Sequence, residues 1–541
     1  MMNRRALIGS GAVAISGALA GNRWSRILAA VGNAKAAPGP TVETRAGKVR
    51  ALMQDGIAAF KGIPYGASTA GDGRFMPPAS MRPWTGVRNA FDLGHRSPQT
   101  PAGLIPEFAA MDRTESMGED CLCLNVWTPA PGSGRKRPTM VWLHGGGYST
   151  GSGGFICYDG ANLARKHDVV VVGINHRLNI FGYLYLAEIG GEKYAQSSNV
   201  GMLDIIAALE WVRDNILEFG GDPGNVTLFG QSGGGGKVST LMAMPSAQGL
   251  FHRAIVESAS AIKGVARNDA TDSAEKLLAK VGVKSGDIDR AQRLPIDQLL
   301  AAMGEGGPAG NQALRLAPVV DGRTLPKDPF DPVAPEMSSN IPLLIGSVET
   351  EVTFFPEQQL DSMDDATLHT KVKQTAHADD APADRLIAVY RKGRPGLGNT
   401  DLYLILASDA SFRRGVLTEA ERKAAAAKAP VYMYYFTWRT PVRGGKLRSF
   451  HTLEIPFVFE NVDLAKSMTG SGQDRYTLSD KISSAWVAFA RSGNPNHKGL
   501  PSWPAFNNTQ RATMVLNDEC KVVNDPNGEE RKMLYGIQPV S

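Results

Sequence analysis

The chain is poor in cysteine. Cys121, Cys123, Cys157 and Cys520 are the only four in 541 residues, too few for a disulfide scaffold. Cys121 and Cys123 flank Leu122, so on a strand they share a face without disulfide geometry. No Cys/His cluster has zinc-ligand spacing, and no metal site is expected. An excess of charge is also missing from most of the chain. The formal net charge is +5, and residues 1–36 account for all of it, with Arg4, Arg5, Arg23, Arg26 and Lys35 and no Asp or Glu. The remainder is formally neutral, which leaves no basic stripe for nucleic acid. There is no internal repeat and no charged low-complexity tail.

The first 36 residues read as an export signal. Arg4-Arg5 precede a Gly/Ala-rich apolar run from Ala6 to Ala20, and Ala34-Lys35-Ala36 offers a small-residue cleavage site. Paired arginines before Leu7-Ile8 are of the bacterial twin-arginine kind. The apolar run is about 15 residues, short of the ~20 that a spanning helix needs, so no stable membrane insertion is expected. The expectation is a periplasmic or secreted protein with a single domain over residues 37–541.

What the chain has in quantity is turn formers, 60 glycines and 33 prolines, among strand-length apolar runs. "GKVRALMQDGIAAFKGIPYG" (47–66) predicts an antiparallel hairpin. Runs at 139–144, 169–174, 226–229, 254–257, 342–346 and 431–438 are nearly continuous in apolar residues, as parallel strands buried on both faces are. Helical spacing appears between them, in "MLDIIAALEWVRDNILEFGG" (202–221) and "LSDKISSAWVAFARSG" (478–493). Strands alternating with helices predict an α/β fold with crossover connections. Residues 268–316 read as a helix-rich, polar insertion over the sheet edge.

One stretch carries chemistry. In "LFGQSGGGGKV" (228–238) a strand runs into Gly230-Gln231-Ser232-Gly233-Gly234 and then into helical sequence, the strand–turn–helix setting of a nucleophile elbow. A serine hydroxyl needs a base to take its proton, a carboxylate to orient that base, and N–H donors for the oxyanion. Upstream, "VWLHGGGYSTG" (141–151) places three glycines after a strand, as an oxyanion loop does. His144 opens that loop and is poorly placed to be the base. Nine histidines compete for that role on sequence alone.

The sequence resembles the type-B carboxylesterase/lipase family, the cholinesterase-like branch of the α/β-hydrolases, over roughly residues 41–520. The resemblance rests on "FKGIPYG" (60–66), "RFMPP" (74–78), "EDCLCLNVWTP" (119–129), "INHRLNIFGYL" (174–184), the run from 199 to 235, "FHTLEIPFVF" (450–459) and "AWVAFARSGNPN" (485–496). It implies a large, mostly parallel, twisted sheet flanked by helices, with loop and helical insertions over the active site. It implies an ester hydrolase that uses no cofactor, acts on small-molecule esters and forms an acyl-enzyme. Ser232 would be the nucleophile, His451 the base and Glu351 the acid, with Glu349 as the rival acid two residues away. Gly146, Gly147 and Gly233 would donate to the oxyanion, and Phe354 and Phe355 would line the substrate pocket. A lipase for longer-chain esters and a non-catalytic binding relative are the alternatives.

Several positions depart from the family pattern or refine it. Gly233 stands where alanine is usual, a cost of roughly 1 kcal/mol in helix propensity that would be offset by room for a bulky substrate. Val352 replaces a common glycine. Ser97 stands where the usual disulfide partner of Cys121 would be. Arg74 and Glu119 match a structural ion pair. Met111 stands about where cholinesterases carry the tryptophan that binds a quaternary ammonium, so choline esters are not expected. Substrate preference would lie in the loops at 97–118, 268–316 and 355–400.

Overall fold

The computed structural model describes residues 37–101, 105–112, 115–304, 314–355 and 358–537. The export signal read at residues 1–36 lies outside the described residues, as do short parts of the three loops expected to set specificity.

Thirteen strands form one sheet among the described residues. They are β1 (Ala37–Thr44), β2 (Gly47–Gln54), β3 (Ile57–Pro64), β4 (Val87–Asn89), β5 (Cys123–Thr128), β6 (Arg137–Leu143) and β7 (Val170–Ile174). There follow β8 (Gly221–Gln231), β9 (Arg253–Glu257), β10 (Leu343–Val348), β11 (Val431–Phe436), β12 (Ala512–Leu516) and β13 (Lys521–Asn524). The order across the sheet is β1-β2-β3-β5-β7-β6-β8-β9-β10-β11-β12-β13, with β4 beside β2. From β7 through β12 every neighbouring pair is parallel. The other neighbouring pairs, toward the two ends, are antiparallel, apart from the parallel pairing of β4 with β2. The predicted hairpin is β2–β3, turning at Asp55 (φ 49°) and Gly56 (φ 79°), the left-handed pair that a two-residue turn requires.

Continuous apolar strands arise because both faces of the sheet are covered. Val141, Leu143, Val172 and Leu228 point into one core, where the helix Val200–Asn215 adds Met202, Ile205 and Leu209. Met140, Trp142, Val171 and Phe229, the alternate residues of the same strands, point into the other, where the helix Asp474–Ser492 adds Leu478, Ile482 and Trp486. At about 25 cal/mol per Å² of apolar area buried, these two layers dominate the stability of the fold.

The insertion is helical, as expected, with helices Arg267–Lys280, Ile288–Gln292 and Ile296–Met303. Its position differs from the expectation of a sheet-edge cover. Leu277, Leu278 and Leu299 pack on Phe75 and on Ile180, Phe181 and Leu184, the last three in the segment that follows the interior strand β7. Those aromatic rings supply apolar cover that an edge strand would not. Arg74 ties the insertion to the body. Its guanidinium holds the Glu119 carboxylate through Nε at 2.7 Å and Nη2 at 2.6 Å, and Nη1 donates to Leu294 O at 2.6 Å. All four cysteines are buried and none forms a disulfide. At the position of the missing disulfide partner, Ser97 Oγ accepts the Leu178 N–H at 3.2 Å. No helix among the described residues is long and apolar enough to cross a membrane.

Candidate active site

Strand β8 ends at Gln231 and a helix begins at Gly233, which leaves Ser232 alone on the turn with φ 56° and ψ −129°. A β-substituted residue in that region is strained, and such strain persists only where the surroundings enforce it. The Ser232 N–H donates to Glu257 O at 2.9 Å. Glycine is required two residues on: a Cβ at Gly234 would lie 1.9 Å from Leu143 O. The Gly-x-Ser-x-Gly pattern is therefore the sequence record of a strand and a helix meeting too closely for side chains.

The oxyanion-loop glycines lie beside it. Gly146 has φ 90°, and Gly146 and Gly147 line the same cavity as Ser232. Among the described residues, the N–H groups of Gly146, Gly147 and Gly233 donate to no protein acceptor. Gly233 is half-buried and is not among the cavity-lining residues. The room for substrate expected from its missing side chain is absent, because a Cβ there would sit 2.1 Å from Gly147 O. His144 is fully buried, stacks on His176 with ring centroids 4.8 Å apart, and is lowered to about 3 by burial and the nearby Lys237 charge. It is a neutral structural ring, as expected.

The opposite wall comes from the C-terminal ends of β10 and β11. Glu351 opens a single helical turn, Glu351–Phe354, and is fully buried. Its Oε1 accepts the Val348 N–H at 3.0 Å, and its Oε2 lies 2.5 Å from His451 Nδ1. With Nδ1 engaged by the carboxylate, Nε2 is the nitrogen left for proton transfer. Ser232 and His451 line one cavity, but no hydrogen bond joins them among the described residues. Serine–base contacts of this kind are commonly long without substrate and tighten when it binds. Glu349 is elsewhere, paired with Arg439 at 3.0 Å. Val352 donates its N–H to Ser408 Oγ at 3.2 Å, which holds the residue after Glu351 in place without the usual glycine.

The cavity measures about 510 Å³, in the range of small-ligand sites. Phe108, Met111, Phe155 and Phe354 give it an apolar wall. Met111 thus sits in the pocket, where no tryptophan face is offered. Phe355 does not line the cavity; it packs against Phe354 with centroids 4.3 Å apart.

Sequence reasoning missed three features. Gln231 is fully buried with its Nε2 3.3 and 3.4 Å from the two ring nitrogens of His451. Phe412 and Phe354 flank the same imidazole at 4.8 and 5.2 Å; nothing marks Phe412 in its helical sequence. Behind the wall lie two more buried carboxyls. Glu454 accepts from Ser258 Oγ at 3.0 Å and is raised well above the carboxylate range, first by burial and then by the neighbouring Glu351 and Glu257. Glu257 accepts from Trp486 Nε1 at 2.6 Å and is pushed by burial to about 8, with that bond opposing. No group of three or more His, Cys, Asp and Glu among the described residues could hold a metal ion.

Comparison with known proteins places the chain in a family. A model described as the carboxylesterase family matches residues 38–533. The chain is 35% identical over 503 residues to para-nitrobenzyl esterase of Bacillus subtilis, covering 91% of this chain and 98% of that one. It is 32% identical to phenmedipham hydrolase of Pseudarthrobacter oxydans, covering 89% and 95%. Among solved structures, a Geobacillus stearothermophilus carboxylesterase matches with a TM-score of 0.79 and 36% identity, over 91% of this chain and 99% of that one.

Proposed function

The chain belongs to the carboxylesterase family and is a carboxylester hydrolase, and from that premise we propose that it works through an acyl-enzyme on Ser232 with His451 as base and Glu351 as acid. His451 Nε2 takes the Ser232 proton as Oγ attacks the ester carbonyl. Glu351 keeps the ring in the right tautomer and stabilises its cationic form. The N–H groups of Gly146, Gly147 and Gly233 receive the tetrahedral oxyanion, a contribution of about 3–4 kcal/mol for a single donor. His451 then protonates the leaving alcohol, and water releases the acyl group by the same steps in reverse order. One observation carries the reading: a serine in a strained turn shares an apolar-walled cavity with a buried histidine whose Nδ1 is held by Glu351 at 2.5 Å.

The same observation counts against a non-catalytic binding protein, which has no need of a buried Glu–His pair facing a strained serine. A lipase would present a broad apolar surface. The exposed large apolar side chains here, such as Val87, Leu217 and Val333, are scattered along the described chain. The apolar wall favours small, uncharged esters with an apolar or aromatic group. Export by the twin-arginine-like segment 1–36, to the periplasm or beyond, belongs to the same proposal, and N-terminal sequencing of protein recovered outside the cytoplasm tests it.

The direct test is hydrolysis of p-nitrophenyl acetate, butyrate and decanoate by the wild type and by Ser232→Ala. The expected result is turnover that favours the short esters and falls by about 10⁵–10⁶-fold in the variant. Undiminished turnover in Ser232→Ala would move the nucleophile elsewhere.

A further inference from the structure

Lys237 is an unusual occupant of the interior. It is fully buried in the helix Gly233–Leu241, beyond the turn that carries Ser232. Among the described residues it pairs with no carboxylate. Its Nζ instead donates to two backbone oxygens, His144 O and Gly147 O, each at 3.0 Å, and lies 5.6 Å from the centre of the Tyr148 ring. The titratable rings nearest its charge, His144 and His176, are both held neutral by burial. A buried ammonium without a counter-ion is costly to keep, and burial lowers this one to about 7.

Its two acceptors bracket the turn from His144 to Gly147, in which Gly146 and Gly147, the proposed oxyanion donors, line the cavity beside Ser232. The same Gly147 carbonyl rests on Gly233, where a Cβ would lie 2.1 Å from the oxygen and 2.5 Å from Gly147 C and Cα. A pull from Lys237 and close contact at Gly233 therefore act on one peptide. We propose that Lys237 is a positioning residue for the oxyanion hole, clamping the glycine turn onto the nucleophile's helix so closely that only glycine fits at position 233. The inference rests on the roles assigned above to Gly146 and Gly147, and it makes the glycine at 233 and the lysine at 237 one device.

The test uses the full chain, p-nitrophenyl butyrate, and a trifluoromethyl ketone that forms a tetrahedral adduct with the serine. Wild type, Lys237→Met, Gly233→Ala, the double variant and Ser232→Ala are compared, with melting followed by circular dichroism. In Lys237→Met, kcat is expected to fall at least about tenfold with KM within about twofold, because the loss is confined to the transition state. Ketone affinity should weaken by a similar factor. Gly233→Ala should also lose at least about tenfold in kcat, although alanine is the better helix former. The double variant should lie within about threefold of the worse single one, since a released turn makes room for the methyl. The inference is overturned if Lys237→Met melts lower but keeps kcat and ketone affinity within about twofold, or if the two losses simply multiply. Should Lys237→Met not fold, unchanged kcat in Gly233→Ala overturns it and a loss of at least about tenfold supports it. An active Ser232→Ala would instead bring down the proposed function and this inference together.

Discussion

The two walls of the cavity are built on different principles. The Ser232 wall is made of backbone: a residue forced to positive φ, glycines that leave no room for a Cβ, and N–H groups without acceptors among the described residues. The His451 wall is made of side chains, with Glu351 gripping the imidazole, Phe354 and Phe412 flanking it, and two further carboxyls buried behind. The first should therefore fail when volume is added and the second when charge is changed.

Among changes that keep both Ser232 and His451, the largest effect should follow a charge change on the His451 wall. Glu351→Gln keeps the shape but removes the charge that supports the imidazolium, and kcat is expected to fall by about 10⁴-fold. Glu349→Gln, which loses only a half-exposed pair with Arg439, should stay within about twofold, since such pairs contribute little. Steady-state kinetics on both variants separates the rival acids, and equal losses would break the comparison.

A smaller loss is expected from one methyl on the Ser232 wall. Gly146 has φ 90°, and a Cβ there would lie 2.2 Å from Thr150 O. Gly146→Ala should displace an oxyanion donor and cost about 10²–10³-fold in kcat. A variant within about threefold of wild type would show that this N–H is not engaged.

The smallest effect concerns stability rather than rate. Glu257 titrates near 8 in the fold against an ordinary value of 4.5. Between those values the unfolded chain has lost the proton that the folded chain keeps, so stability falls as pH rises through the window. Glu257→Gln retains an acceptor for Trp486 and should flatten the decline by up to about 1.4 kcal/mol per pH unit. Denaturant midpoints between pH 5 and 8 measure this; an unchanged slope would mean that Glu257 is ionised in the fold.

The same contrast explains what could be read from the sequence. Ser232, Gly234 and the 145–147 glycines were legible because backbone geometry leaves a local record: glycine where a Cβ would collide, and a strand before it. The parallel strands were legible because burial on both faces makes them continuously apolar. His451 and Glu351 carry no such record. Each is one polar residue on a loop after a strand, and only the family resemblance separated them from eight other histidines and from Glu349. Gln231, Phe412, Glu454 and Lys237 were not legible, because their roles depend on partners distant in sequence or on burial that no local pattern announces. The helices of the insertion are legible but their place in the fold is not, since amphipathic periodicity says that a face is covered and not by what.

The central claim is that the backbone wall presents the nucleophile and the side-chain wall activates it. The most direct test is the rate of labelling by a fluorophosphonate, with the modified peptide mapped by mass spectrometry, in wild type and His451→Ala. The account predicts one adduct, on the peptide containing Ser232, formed at least about 10³-fold more slowly when the imidazole is removed. An adduct on another residue, or labelling of Ser232 at an undiminished rate in His451→Ala, would contradict it.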